Sequence, residues 1–308
     1  MSATHDMAQS ILSRYLDPDV LSHVADRYLE PQGLVIGNLA GAHKSPLAGF
    51  AVEFAGHREY VPGDDPKHVD WRVYYTRDKY FVKQYELETN FVCHLVLDVS
   101  ASMRYGEGRE QKLLYAAQMA MALGYSVIRQ SDKVSLFTFD NRVRGIVTPS
   151  NSMAQVLRMT EHLDRIEPVE KTALEQCLSD IAGRLGRREI VMIFSDFFSD
   201  VERLEPVLQR LRYDRHEVVL FQVMHHDELA FELEGMVKFV GLEDADELMA
   251  QTDDLRRGYL QAVRQHRERL EQIADRNRCE RVLIDTRLSM TDQLIDYLNK
   301  RSMLTRGR

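Results

Sequence analysis

Three cysteines, Cys93, Cys177 and Cys279, are scattered over a chain of 308 residues. Their odd number and wide spacing argue against a disulfide frame or a zinc site and read as buried thiols in a reducing compartment. A basic excess is missing too: the formal net charge is -8, where a nucleic-acid surface usually carries a basic face. Basic and aromatic residues interleave over 44–83, but Glu53, Glu59, Asp64, Asp65, Asp70 and Asp78 balance them. The longest uncharged helical run, LLYAAQMAMALGYSVI, is short and interrupted by Gln118, Gly124 and Ser126, so no membrane span is expected. The opening MSATHDMAQS carries neither a basic leader nor an apolar signal stretch. These absences together predict a soluble cytoplasmic protein. No GxxxxGK[ST] phosphate loop occurs, so hydrolysis of ATP by the chain itself is not expected. Internal repeats and low-complexity tracts are absent as well.

What is present is an ordinary globular composition, 44% hydrophobic and 29% charged, in a length that suits two domains or one large α/β domain with an appendage. From about residue 90 a strand–helix rhythm sets in. Strands are predicted at 91–98, 133–139, 189–196, 217–224 and 281–286, each short and rich in Val, Ile, Leu or Phe. Helices are predicted at about 110–129, 152–164, 172–185, 200–212 and 253–277. Apolar strands separated by helices imply an α/β fold, a doubly wound and mostly parallel sheet covered on both faces. The first helix, apolar nearly all round, should be buried. After the Asp140-Asn141 turn, RVRGIVTP (142–149) reads as an edge strand folded back on its predecessor. The acidic stretch 226–250 reads as a hairpin and loop.

The first ninety residues have a different texture and read as an appended N-terminal module, with the sheet domain at 91–308. An amphipathic helix near 7–29 precedes a segment in which Gly33, Gly37, Gly41 and Gly49 suit loops. A turn follows at Pro62–Asp65, and Arg58, Asp70 and Arg72 read as a buried ion-pair network positioning Trp71. His225-His226 reads as a solvated loop pair, and the basic end from Lys300 as a frayed terminus.

The segment LDVSASM (97–103) sets oxygen-bearing side chains at Asp98, Ser100 and Ser102. In an open doubly wound sheet, ligands bind outside the carboxyl ends of strands, where strand order reverses. Thr172, before a helix, and Asp196, at a strand end, are predicted to reach the same edge. Two carboxylates and three hydroxyls, with no imidazole or thiolate, suit a hard cation such as Mg²⁺, with Mn²⁺ or Ca²⁺ as substitutes, and disfavour zinc. Two structural rivals stand beside this reading: Thr172-x-x-Glu175 has the form of a capping box, and Ser199-x-x-Glu202 that of a second.

Asp98-x-Ser100-x-Ser102 with Thr172 and Asp196 downstream resembles the metal-ion-dependent adhesion site (MIDAS) of the von Willebrand factor A fold. The run from Gly49-Phe50 through Glu53-Phe54, Arg58-Glu59-Tyr60, Pro62-Gly63-Asp64-Asp65 and Val69-Asp70-Trp71-Arg72 to Val82-Lys83 resembles the signature of the bacterial domain-of-unknown-function family 58. The resemblance implies a non-enzymatic binding module, an adaptor working with a MoxR-type AAA+ ATPase. Asp98, Ser100 and Ser102 would correspond to the first metal loop, Thr172 to the second and Asp196 to the third. Lys171 and Phe197 stand where the pattern often has glycine. A partner protein's acidic residue would supply the last metal ligand.

Two other functions fit the residues. One is a Mg²⁺-dependent phosphohydrolase with Asp98 as nucleophile, for which the sequence offers no lysine beside Asp98. The other is a metal-free scaffold that associates through the N-terminal module.

Overall fold

The computed structural model describes residues 11–32, 40–44, 53–62, 64, 66–77, 79–86, 88–166, 172–240 and 247–306. The chain divides into two compact units, one of Met1–Gln32 with Val92–Arg308 and one of Gly33–Phe91.

The larger unit is built on six strands: β1 (Val92–Asp98), β2 (Lys133–Phe139), β3 (Val143–Ser150), β4 (Ile190–Ser195), β5 (Glu217–Met224) and β6 (Glu280–Asp285). Their order across the sheet is 6-5-4-1-2-3. All neighbours are parallel except β2 and β3, which pair antiparallel. This is the doubly wound α/β sheet expected from the apolar runs, with the edge strand where RVRGIVTP predicted it. The central strands carry side chains buried on both faces, as apolar runs without alternation require. On edge strand β3 no residue is fully buried, and Ile146, Thr148 and Pro149 are exposed.

The principal helices are α1 (Lys112–Arg129), α2 (Ala154–Asp164), α3 (Leu174–Ala182), α4 (Glu205–Tyr213), α5 (His226–Ala230), α6 (Thr252–Arg276) and α7 (Met290–Arg306). Helix α1 is buried along most of its length, from Tyr115 to Ile128, in keeping with its apolar circumference. The stretch after β5 holds α5 and an antiparallel hairpin of Met236–Val240 with Glu247–Gln251.

Residues up to Gln32 belong with the sheet unit, which divides the expected 1–90 module. The helix expected over 7–29 is broken: residues 11–15 are helical, and a new helix, Pro18–Val24, starts on an Asp17 cap with proline in its first turn. Val24 at its end and Leu29 beyond it are fully buried. Ser126 Oγ donates to the Arg27 carbonyl (2.9 Å), the Leu29 amide donates to Gln130 Oε1 (2.9 Å) and the Gln32 amide to Glu217 Oε2 (2.8 Å). Buried apolar groups and satisfied backbone groups fix this segment, signals that a local reading of texture does not carry.

The unit Gly33–Phe91 holds two small antiparallel pairings, Ala40–Lys44 with Glu88–Thr89 and Glu53–Glu59 with Phe81–Glu86, and a helix at Trp71–Arg77. Gly33, Gly37 and Gly49 lie outside the described residues. The expected buried network around Trp71 is replaced by local pairs: Arg58 binds Asp64 (2.8 Å), and Asp70 accepts from the Arg72 amide (3.0 Å) and meets His57 (2.9 Å). Trp71 itself is 54% exposed and packs edge-on against Tyr74 and Tyr80.

Candidate functional site

Strand order reverses at β1, which pairs with β2 on one side and β4 on the other. The crevice beyond their carboxyl ends is where a doubly wound sheet binds ligands. Asp98 closes β1 and is fully buried. Its Oδ1 accepts the Ser100 amide (2.9 Å) and its Oδ2 the Ser195 hydroxyl (2.6 Å). Ser100 Oγ and Ser102 Oγ lie 3.1 Å apart as the chain turns into a 3₁₀ segment, Ala101–Arg104. Ser195, the last residue of β4, also accepts the Phe197 amide (3.0 Å), which ties the third loop to the first.

Asp196 is buried beside this pair. Its Oδ1 accepts the Phe198 amide (3.0 Å), and its Oδ2 accepts from the Lys112 ammonium (2.8 Å). Phe197 takes a left-handed conformation, φ 55°, which favours glycine. The backbone that glycine would allow at this position is therefore kept by a buried phenylalanine.

Thr172 arrives from the β2 side. The Ala173 amide donates to the Asp140 carbonyl (2.9 Å), and Asp140 follows Phe139, the β2 partner of Asp98. With Ser199 and Asp200, Thr172 lines a cavity of about 240 Å³. The capping box is not formed: helix α3 starts after Ala173 with no side-chain cap, and Thr172 Oγ1 is buried without any hydrogen-bond partner. Neither is the second box, since the turn Val201–Leu204 starts at Asp200 without a side-chain cap. The structure thus joins Asp98, Ser100 and Ser102 by short contacts, links them to the third loop through Ser195, and sets Asp196 and Thr172 at the same sheet edge with no hydrogen bond to the three.

Three residues escaped the sequence reading. Ser195 precedes Asp196 and was legible only as a strand end. Lys112 is the lone charge opening the apolar run of α1, 1% exposed, and it donates to Glu228 Oε1 (2.8 Å) as well as to Asp196. Glu228 sits in the first turn of α5, its Oε2 accepting the His225 amide (2.8 Å) in a capping box. His225 is accordingly buried, and the half-buried His226 bonds Asp285 (2.7 Å), so both rings are held by the fold where a solvated loop pair was expected. Gly106, at φ 93°, lets the loop pass His225: a Cβ there would lie 2.8 Å from the imidazole.

The electrostatics are short of positive charge. Burial, and then the neighbouring Asp196, push the Asp98 carboxyl up to about 7, against its hydrogen bonds to Ser195 and Ser100. Burial also lifts the Glu228 carboxyl, against the pull of Lys112. Lys112 itself is held charged: burial opposes its charge, but Asp196 and Glu228 outweigh it. Fully ionised, the three carboxylates and one ammonium leave two net negative charges, which one divalent cation would balance. Asp98 pairs with no cationic side chain among the described residues. Nor does any group of three or more His, Cys, Asp or Glu there suit a metal, so a cation in this crevice would rest on hydroxyls as well as carboxylates. The buried, partnerless Thr172 hydroxyl and the uncompensated Asp98 fit such an ion. Asp98, Ser100 and Ser102 would hold it, with Thr172 and Asp196 completing or tuning the site.

Comparison with known proteins gives a family and distant relatives. Residues 56–269 match a family described as "Protein of unknown function DUF58". "Uncharacterized protein Rv1480" of Mycobacterium tuberculosis and "Uncharacterized protein Mb1516" of Mycobacterium bovis are similar to the chain, each 24% identical over 220 residues. The match spans 68% of this chain and 66% of each relative's length. Among solved structures, the chain is similar to a conserved hypothetical protein, BatB, from Bacteroides thetaiotaomicron (TM-score 0.47, 13% identity, 70% of this chain and 100% of that one). An aerotolerance-related membrane protein from Bacteroides fragilis gives a TM-score of 0.46 at 16% identity, over 68% of this chain and all of that one. Among the described residues, no helix is long and apolar enough to cross a membrane.

Proposed function

The chain belongs to the DUF58 family of proteins of unknown function, and from that premise we propose that it is a non-enzymatic, divalent-metal-dependent protein-binding module. In this reading it serves as an adaptor of a MoxR-type AAA+ ATPase. The observation that carries the metal reading is the fully buried Asp98 at the switch point, flanked by the Ser100 and Ser102 hydroxyls and lacking a cation. An ion such as Mg²⁺ bound there supplies an electrophilic position for an outside carboxylate. Asp98 and the two serines fix its place. The burial of Asp98 and Ser100 strengthens each contact. Metal and partner then bind cooperatively, because each supplies what the other lacks. The ATPase partner rests on the resemblance of residues 49–83 and of the metal loops.

The phosphohydrolase alternative gains a lysine but not a mechanism. Lys112 is engaged by two carboxylates, and Asp98 has no exposed oxygen for attack on a phosphate.

The direct test is a pulldown from native lysate with wild-type and Asp98→Ala protein, each in Mg²⁺ and in chelator, read by mass spectrometry. A partner held only by wild type in Mg²⁺, and an AAA+ ATPase among those partners, is the expected result. Equal recovery in all four conditions would sink the metal bridge. Thr172→Val offers a second check. Removing a buried, unpaired hydroxyl at constant shape should leave the chelated protein as stable as wild type or more so, by up to about 1 kcal/mol. The same change should weaken Mg²⁺ binding about tenfold, measured by calorimetry. Unchanged metal affinity would remove Thr172 from the ligand set.

A further inference from the structure

We propose that Lys112 is a positioning residue that keeps the Asp196 carboxylate off a divalent ion bound at Asp98, reserving an open metal position for the partner's carboxylate. This rests on the metal reading above and specifies how the site stays receptive. Both Asp196 oxygens are engaged, Oδ1 by the Phe198 amide and Oδ2 by Lys112. Lys112 cannot swing away cheaply. It is buried, its own amide donates to the Tyr105 carbonyl (3.0 Å), its ammonium is shared with Glu228, and the Phe198 ring lies 5.4 Å from it. Glu228 is fixed in turn by the His225 amide at the start of α5. The clamp therefore draws on three separate parts of the fold: the start of α1, the loop after β4 and the cap of α5.

The consequence is chemical. A divalent ion with one direct carboxylate stays more electrophilic than one with two, and carboxylate and water ligands exchange at the same positions. With Asp196 tied to Lys112, Asp98 is the one of the two buried carboxylates without a cationic partner among the described residues. A partner's Asp or Glu then meets less charge repulsion than it would from a site in which both carboxylates bind the ion.

The test uses the full chain and Mn²⁺ as the probe. Free Mn²⁺ is counted by electron paramagnetic resonance, and water on the bound ion by proton relaxation. Lys112→Gln removes a nearby cation and releases Asp196, so Mn²⁺ should bind about tenfold more tightly and carry about one water fewer than in wild type. A merely structural lysine would not change the hydration of the ion. Asp196→Ala is the second variant and carries the test if K112Q does not fold: its bound Mn²⁺ should keep the wild-type hydration. K112Q with wild-type affinity and hydration, or D196A with an added water, would overturn the clamp while leaving the metal site intact. A wild-type chain that binds no Mn²⁺ overturns the metal reading itself, and the clamp with it.

Discussion

Asp98→Asn is expected to raise the melting temperature of the chelated protein above pH 7 and to abolish the further rise that Mg²⁺ gives wild type. Asp98 is fully buried, and burial with the adjacent Asp196 lifts its carboxyl from its ordinary value of 3.8 to about 7. Between those two values the native state holds a proton that the unfolded chain has released. Stability of the metal-free protein therefore falls as pH rises from about 4 to about 7 and is level beyond. The full penalty, on the order of 2–4 kcal/mol, is present at pH 8. Asparagine has the same shape and no charge to bury. Its carbonyl can still accept the Ser100 amide, while its amide faces the Ser195 oxygen. The gain of D98N over wild type should grow from pH 4 to pH 7 and then hold. Mg²⁺ should reverse the ranking, because an ion bound at this site would stabilise only the chain that carries the carboxylate. A D98N protein that melts below wild type at pH 8 in chelator would show that Asp98 is a structural hydrogen-bond acceptor and no reservoir of unbalanced charge. The same experiment separates function from folding, since a site tuned to bind an ion pays in stability when empty.

How far the sequence carried this conclusion differs by element. The parallel strands were legible because their side chains are buried on both faces, which leaves an unbroken apolar run. The edge strand was legible because Asp140 closes its turn locally, its carboxylate accepting the Arg142 amide (3.2 Å) and the Arg144 guanidinium (2.6 Å). The Asp98–Ser102 loop was legible because its three oxygen-bearing side chains lie within five residues. Lys112 was not, because its meaning depends on Asp196 and Glu228, 84 and 116 residues away. Local chemistry also suggested bonds that the fold does not make. Thr172-x-x-Glu175 satisfies a capping pattern, yet the helix starts after Ala173 and leaves the hydroxyl without a partner. The histidine pair failed in the opposite sense: adjacent polar residues at a strand end look solvated, but His225 caps α5 from a buried position.

Arg301 gives the second large effect, and it lies where the sequence suggested least. The basic end from Lys300 reads as a frayed terminus, yet α7 runs on to Arg306 and Arg301 is 0% exposed. Its guanidinium donates to the Glu30 carbonyl (2.6 Å) and the Tyr297 hydroxyl (3.2 Å), binds Glu217 on β5 and reaches Glu280 on β6 (3.6 Å). One side chain so joins the last helix, two neighbouring strands and the segment that follows the Pro18–Val24 helix. Substitution by methionine keeps much of the apolar stem and removes the charge, leaving Glu217 without its cation and Glu280 with only Lys300, 3.9 Å away. Removing one partner of a buried pair costs about 3–5 kcal/mol, so Arg301→Met should lower the melting temperature by roughly 6–12 °C for a unit of this size. Neutralising the carboxylates as well, in R301M/E217Q/E280Q, should restore a good part of that loss, because the larger share of the cost is the stranded negative charge and not the missing bonds. If R301M melts within about 1 kcal/mol of wild type by urea titration, the terminal helix is not held by this arginine. If R301M loses stability and the triple variant recovers none of it, the arginine acts by tying down the Glu30 carbonyl and by packing on Tyr297. The charge explanation predicts recovery, and that recovery would make the basic end of the chain the anchor of its beginning.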